Sequence, residues 1–214
     1  DETGKILYGD MLMILFARDI LKENPGSKFI GEVKCSQVMY DDIQAKGGMP
    51  IMWRTGHSLI KQKLKEENAL MAGEMSGHFF FRHRYFGFDD AIYAACRLLE
   101  IISKDRRPFS SYLADIPPTF NTPEIRVECP EEKKFDLVDK VKEILSADHK
   151  VIDIDGVRVV FPDGWGLVRA SNTSPVIVMR FEAQTESRLQ EIKNLVEKAV
   201  DKAKSELSDN RIVR

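Results

Sequence analysis

Residues 29–58 read FIGEVKCSQVMYDDIQAKGGMPIMWRTGHS. An apolar extended run over 29–35 gives way to Ser36, which can cap a helix over 37–46. Gly47-Gly48 ends that helix, and a second apolar run follows at 49–53. The turn Thr55-Gly56-His57-Ser58 then opens a further helix over 59–67. Strand and helix alternate at short spacing, which is the pattern of an α/β layer built on parallel strands.

The pattern extends in both directions. Upstream, Asp10 can cap a helix over 11–22 that is apolar nearly all round, stopped by Asn24-Pro25-Gly26. Before it, a polar turn leads into Ile6-Leu7-Tyr8, which reads as the second half of a hairpin and so as a piece of a longer protein. Downstream, a third strand over 69–72 runs into Gly73-Glu74-Met75-Ser76-Gly77-His78, and Phe79-Phe80-Phe81 continues extended. Asp89 or Asp90 caps a helix over 91–103 with Ile92, Ala95, Cys96, Leu99 and Ile102 on one face.

The grammar changes after Ile116-Pro117-Pro118, where two prolines make a linker. A strand (124–129) and a helix (135–146) are followed by strands over 151–153 and 157–161 around Asp155-Gly156, a hairpin signal. Strands over 165–170 and 176–183 come next. A long helix over about 186–206, capped by Thr185, buries Leu189, Ile192, Val196, Ala199 and Val200. This is an α+β unit, an antiparallel sheet with two helices over one face. The chain thus reads as two domains, 1–117 and 118–214.

The totals exclude several classes. A net charge of −2 creates no basic field for nucleic acid. The three cysteines, Cys35, Cys96 and Cys129, are distant from one another and form no C-x-x-C pair, which argues against a disulfide scaffold or zinc site and for the cytoplasm. No apolar run approaches the roughly 20 residues that span a bilayer.

Polar groups collect in two places. In a doubly wound sheet, ligands bind beyond the carboxyl ends of the strands. Lys34, residues 54–58 and residues 74–78 each follow a strand at that position. Lys34 can neutralise a phosphate, and His57 stands at a helix start that favours anions. His78 can carry a proton near neutral pH. Glu74 and Ser76 share one side of an extended segment and suit two adjacent sugar hydroxyls. The same residues also serve as a solvated strand end, a helix cap or a polar turn. In the second domain, Arg169-Ala170-Ser171-Asn172-Thr173-Ser174-Pro175 lies between two apolar strands. It gathers the donors a phosphate dianion needs, or else forms a polar turn with Arg169 paired to a nearby acid. The combined reading is a phosphosugar, with hydroxyls gripped by one domain and phosphate by the other. No nucleophile has a base beside it, and D-x-D-x-D, G-x-x-x-x-G-K-[ST] and G-x-G-x-x-G are absent.

V-K-C at 33–35, T-G-H-S at 55–58, G-E-M-S-G-H at 73–78, Y-F-G-F-D-D at 85–90 and R-A-S-N-T-S-P at 169–175 closely resemble the α-D-phosphohexomutase family, in its bacterial phosphomannomutase/phosphoglucomutase branch. The Met of G-E-M-S-G-H favours that branch; phosphoglucosamine mutases usually have Gln there and the larger phosphoglucomutases G-E-E-S. Arg54 stands where relatives often have Lys, which keeps the charge. The resemblance implies a three-layer α/β/α sandwich with a mixed, mostly parallel sheet for 1–117, the family's third domain with a few residues of the second. It implies a TATA-box-binding-protein-like fold for 118–214, the fourth domain. It further implies that Glu74 and Ser76 bind sugar hydroxyls, that Lys34, His57 and His78 surround the sugar and the transferred phosphate, and that Arg169, Ser171, Asn172 and Thr173 bind the other phosphate. Mg²⁺, a phosphoserine and hexose 1,6-bisphosphate are implied for the whole enzyme, with the metal ligands and the serine on domains preceding this stretch. The expectation is a C-terminal half, inactive alone. A phosphoglucosamine mutase relative and a non-catalytic phosphosugar-binding module are the alternatives.

Overall fold

The computed structural model describes residues 1–105 and 107–209. The chain divides into two compact units, Asp1–Pro117 and Pro118–Arg214.

The first unit runs α1 (Gly9–Glu23), β1 (Lys28–Glu32), α2 (Gln37–Ala45), β2 (Met49–Trp53), α3 (His57–Glu66), β3 (Met71–Gly73), β4 (Phe79–Phe81) and α4 (Ala91–Ser103), then a 3-10 helix, Phe109–Leu113. Its sheet has the order β2-β1-β3-β4. β1 pairs in parallel with both neighbours, and β4 returns antiparallel to β3. A strand's side chains alternate between faces, and the core divides accordingly. Phe29, Met71, Phe79 and Phe81 pack with α1, α2 and α4, whereas Ile30, Ala72 and Phe80 pack with Ile60 and Leu64 of α3. The result is an α/β/α sandwich. Phe16 of α1 meets Phe79 and Phe81 edge-on, with centroids 5.3 and 5.0 Å apart, the arrangement aromatic quadrupoles favour.

The second unit runs β5 (Phe120–Asn121), β6 (Ile125–Glu128), α5 (Lys134–Ser146), β7 (Lys150–Ile152), β8 (Val157–Phe161), β9 (Gly164–Ala170), β10 (Val176–Ala183) and α6 (Glu186–Asp209). Its sheet is antiparallel throughout, in the order β5-β10-β9-β8-β7, with β6 also pairing to β10. Val157, Val159, Val168, Ile177, Met179 and Phe181 pack against Leu137, Val138, Val141 and Leu145 of α5 and Ile192, Val196, Ala199 and Val200 of α6. On the opposite side, the Arg158 guanidinium lies 3.8 Å from the Trp165 ring centroid, and Trp165 Nε1 donates to Glu182 Oε1 at 2.9 Å.

The expected mixed, mostly parallel sheet and the antiparallel sheet under two helices are both present. Ser36, Asp90 and Thr185 accept backbone N–H groups at the starts of α2, α4 and α6 as expected. Four local expectations need correction. Asp10 is not a cap: α1 starts at Gly9, and Asp10 Oδ2 instead accepts the N–H of Ser36 at 2.9 Å. β1 stops at Glu32 rather than 35, because the Cys35 N–H turns back to the Glu32 carbonyl. Residues 6–8 form no strand, since no segment among the described residues pairs with them. The α4 stripe faces water: Ile92 and Leu99 are 81% and 65% exposed, while Ala94, Arg97 and Ile101 are buried. The rotation follows from Tyr93, whose ring stacks on Tyr85 at 3.9 Å and meets Phe81 edge-on, so that the aromatic rather than the aliphatic side is held against the sheet.

Ile192 is fully buried under β9 and β10. Ile192→Ala is expected to lower the stability of the second unit by about 2–4 kcal/mol. Urea unfolding followed by Trp165 fluorescence in a Trp53→Phe background measures it.

Candidate functional site

The register of β1 fixes the first polar cluster. Glu32 lies opposite Trp53, and Gly31 opposite Gly73, so β2, β1 and β3 end at one edge of the sheet. The loops that follow them carry Lys34, residues 54–58 and residues 74–78. Topology therefore brings the three predicted loops of this unit together.

Within that edge the side chains differ in character. Glu74 is buried at 5% exposure. Its Oε2 receives the Ser76 hydroxyl at 3.4 Å, and its Oε1 is buried with no hydrogen-bond partner among the described residues. A buried carboxylate oxygen left without a donor is costly, so this atom is poised to accept a hydroxyl. Ser76 and His78 are exposed. His78 Nδ1 lies 2.7 Å from Asp89 Oδ2, which orients the ring. His57 is exposed in the first turn of α3, with Ser58 Oγ 3.5 Å from its Nδ1. Among the described residues, no side chain caps α3. Gly56 takes the N-cap position at φ 129°, and the Thr55 hydroxyl turns instead to Glu32 Oε2 at 3.0 Å. Lys34 is buried, its Nζ 3.9 Å from Glu32 Oε1.

The turn at 74–78 is shaped by the start of α1. The Gly9 N–H donates to the Met75 carbonyl at 3.0 Å, and the Glu74 N–H donates to the His78 carbonyl at 2.9 Å. A Cβ on Gly9 would collide with the Glu74 carbonyl oxygen and lie 2.8 Å from the Gly77 nitrogen. Glycine is required there by close approach of two backbones.

In the second unit, residues 171–175 connect β9 to β10. Arg169 is buried and donates through Nε to Asp155 Oδ2 at 2.9 Å, so its pairing to a nearby acid is present. Asp155 sits in the β7–β8 turn, next to Gly156 at φ 76°. Ser171 is buried, and its Oγ accepts the Thr173 N–H at 3.3 Å. Asn172 and Thr173 are exposed. Buried Lys134, from the first turn of α5, donates to the Ser174 carbonyl at 3.3 Å and holds the loop from beneath. Arg169, Ser171, Asn172 and Thr173 thus form one compact polar loop.

Comparison with known proteins gives two matches that together cover most of the chain. The model of the phosphoglucomutase/phosphomannomutase alpha/beta/alpha domain III matches residues 8–120, and that of the phosphoglucomutase/phosphomannomutase C-terminal domain matches 124–199. The chain belongs to the phosphoglucomutase/phosphomannomutase family. It is 50% identical over 203 residues to a phosphomannomutase/phosphoglucomutase of Pseudomonas aeruginosa, covering 93% of this chain and 44% of that protein. It is 46% identical over 196 residues to a phosphoglucomutase of Neisseria meningitidis, covering 90% and 42%. A crystal structure of a phosphoglucomutase/phosphomannomutase family protein from Burkholderia thailandensis superposes with a TM-score of 0.86 at 44% identity, over 94% of this chain and 43% of that one. The chain therefore spans less than half the length of these relatives.

Among the described residues, no group of three or more His, Cys, Asp or Glu side chains comes together to hold a metal ion. The Mg²⁺ that the family resemblance implies thus finds no donor set here. No helix among them is long and apolar enough to cross a membrane.

Four residues escaped the sequence reading. Asp155 reads as a turn residue and Asp89 as a cap, yet they partner Arg169 and His78. Lys134 gives no signal at the start of a helix. Glu32 does give one: a carboxylate inside the apolar run FIGEV of a central strand needs an explanation.

Gly9→Ala is expected to cost about 1–3 kcal/mol and to displace the turn beneath it. The checks are thermal unfolding and the amide shifts of Glu74 and Gly77, which should move while those of Ser171 and Thr173 stay.

Proposed function

We propose that this chain supplies the sugar- and phosphate-recognition parts of a phosphohexomutase, an enzyme that interconverts hexose 1-phosphate and hexose 6-phosphate of glucose or mannose in the cytoplasm. In this reading the first unit takes hexose hydroxyls and the second takes phosphate. Phosphoryl transfer itself runs through a phosphoserine and a hexose 1,6-bisphosphate, with Mg²⁺, on further domains of the kind that make up the remaining length of the relatives. The 214 residues contain no D-G-D-x-D-R run to bind that ion.

The observation that carries the reading is Glu74. Its carboxylate is buried at the end of β3 with Oε1 lacking a donor among the described residues, and the Ser76 hydroxyl stands beside it. Two vicinal sugar hydroxyls supply the missing donors, and the serine supplements them. O3 and O4 fit this role because glucose and mannose share their configuration there and differ at C2. His57, His78 and Lys34 are the proton carriers and positive groups around the reacting phosphate. His78 has its second nitrogen available for transfer while Asp89 holds the first. Arg169, Ser171, Asn172 and Thr173 hold the phosphate that is not transferred.

Titration of the chain with glucose 1-phosphate and mannose 1-phosphate, read from amide shifts, tests this. Shifts are expected at 74–78 for both sugars, and at 169–174 for both sugars and for inorganic phosphate. Glu74→Gln should weaken the sugar response about tenfold to a hundredfold, by loss of hydrogen bonds to a charged acceptor. Arg169→Ala should remove the response at 169–174. The chain by itself should give no mutase turnover. Absence of any response at 74–78 to either sugar, or turnover by the purified chain, contradicts the reading.

A further inference from the structure

Glu32 is the last residue of β1 and has no exposed surface. Such a carboxylate is expensive to bury unless each oxygen is engaged, and its partners come from three different loops. Oε2 accepts the Lys34 N–H at 2.6 Å and the Thr55 hydroxyl at 3.0 Å. Oε1 accepts the Met75 N–H at 3.3 Å and lies 3.9 Å from Lys34 Nζ. The three loops are those that follow β1, β2 and β3. Apart from the strand ladders, this one side chain is a common partner of all of them.

The position of the Met75 contact matters most. Its N–H belongs to the peptide that joins Glu74 to Met75, while the carbonyl of Met75 is held by Gly9. The backbone on the far side of Glu74 is therefore clamped at both ends, and the direction of the Glu74 side chain follows. Lys34 is held twice, by its N–H and its ammonium.

We infer that Glu32 is a positioning residue: its carboxylate ties Lys34, the turn at Thr55 and the Glu74-Met75 peptide into one arrangement, so that the groups that meet the sugar are fixed relative to one another before ligand arrives. This rests on the reading of Glu74 as the acceptor of sugar hydroxyls. Binding then gains by preorganisation, because the loops need not be ordered at the moment of association.

The charged and titratable groups around this carboxylate are Lys34 on its own loop and Glu74 on the turn after β3. Tyr40 of α2 donates its hydroxyl to the Glu32 backbone carbonyl at 2.9 Å. Burial raises the Glu32 pKa above the usual carboxylate value, Lys34 and the two backbone N–H groups oppose that rise, and Glu74 adds to it. The carboxylate form is thus the strained one. The group's contribution to stability declines as pH rises through its raised folded value.

The decisive variant is Glu32→Gln, which keeps the shape and removes the charge. Three readouts are expected. The amides of Lys34 and Met75 titrate together in the wild type, with a midpoint above the usual glutamate range, and that titration vanishes in the variant. Hydrogen exchange at Met75 accelerates. Affinity for glucose 1-phosphate at 74–78 falls about tenfold, whereas the response of 169–174 to inorganic phosphate is unchanged. Thr55→Val removes one arm while leaving the core charge its other partners, and should weaken sugar binding about threefold; it serves if the first variant does not fold. If folded variants bind the sugar within twofold of wild type and Met75 exchange is unaltered, the inference is overturned. If the wild type shows no sugar response at 74–78, the sugar-recognition reading fails instead, and the shared titration and the exchange still decide whether the tether exists.

Discussion

A strand flanked on both sides by parallel neighbours must end where they end. That constraint, imposed on β1 by β2 and β3, organises the whole of the first unit. It delivers three loops to one edge of the sheet, while helices packed on both faces bury the strand. A polar group at its end therefore has only those loops for partners. Glu32 takes that position, and its cost to the fold is offset only while the loops hold their places. Rigid strands supply the distances, and one carboxylate supplies the fine alignment.

The second unit meets a comparable demand with different means. Its polar loop is the turn of an antiparallel pair, β9 and β10, so hydrogen bonds along both strands define where it begins and ends. Two long side chains then fix it from outside the pair: Arg169 against Asp155 of the neighbouring β7–β8 turn, and Lys134 from α5 beneath the Ser174 carbonyl. Asp155 also aims the guanidinium by engaging its Nε. Pairing with an acid does not preclude the proposed anion binding, because a guanidinium presents five N–H donors and one carboxylate oxygen occupies only part of that fork.

Elements with strong periodicity or strong punctuation were legible in the sequence. Gly47-Gly48, Asn24-Pro25-Gly26 and Asp155-Gly156 bound their neighbours where expected, because glycine and proline act through local backbone geometry alone. α4 forms where expected, but its apolar stripe does not mark its buried side, because periodicity counts apolar residues and not their partners. Its inner face is set by Tyr93 and Arg97: the Tyr93 ring meets Phe81 and stacks on Tyr85, and the Arg97 guanidinium lies over Phe81, contacts made only when the loop between β4 and α4 folds back. Asp10 failed for a related reason: a capping residue and a first-turn carboxylate look alike in sequence, and only Ser36, 26 positions away, distinguishes them. The polar loops could be seen as clusters, but the supports Asp89, Lys134 and Asp155 could not, because each acts on a residue brought near only by folding; Glu32 showed itself as a charge in an apolar strand but not by its partners Thr55 and Met75.

The outward face of α4 has a chemical consequence. Of the three thiols, Cys35 and Cys129 are inside and Cys96 is outside, among Ile92, Ala95 and Leu99. Access governs thiol reactivity as strongly as acidity does, so an alkylating reagent in water discriminates among the three without any engineering. A spectroscopic tag attached there would sit on a helix that carries none of the candidate ligand-binding groups. The outward face of α4 thereby offers a selective thiol address.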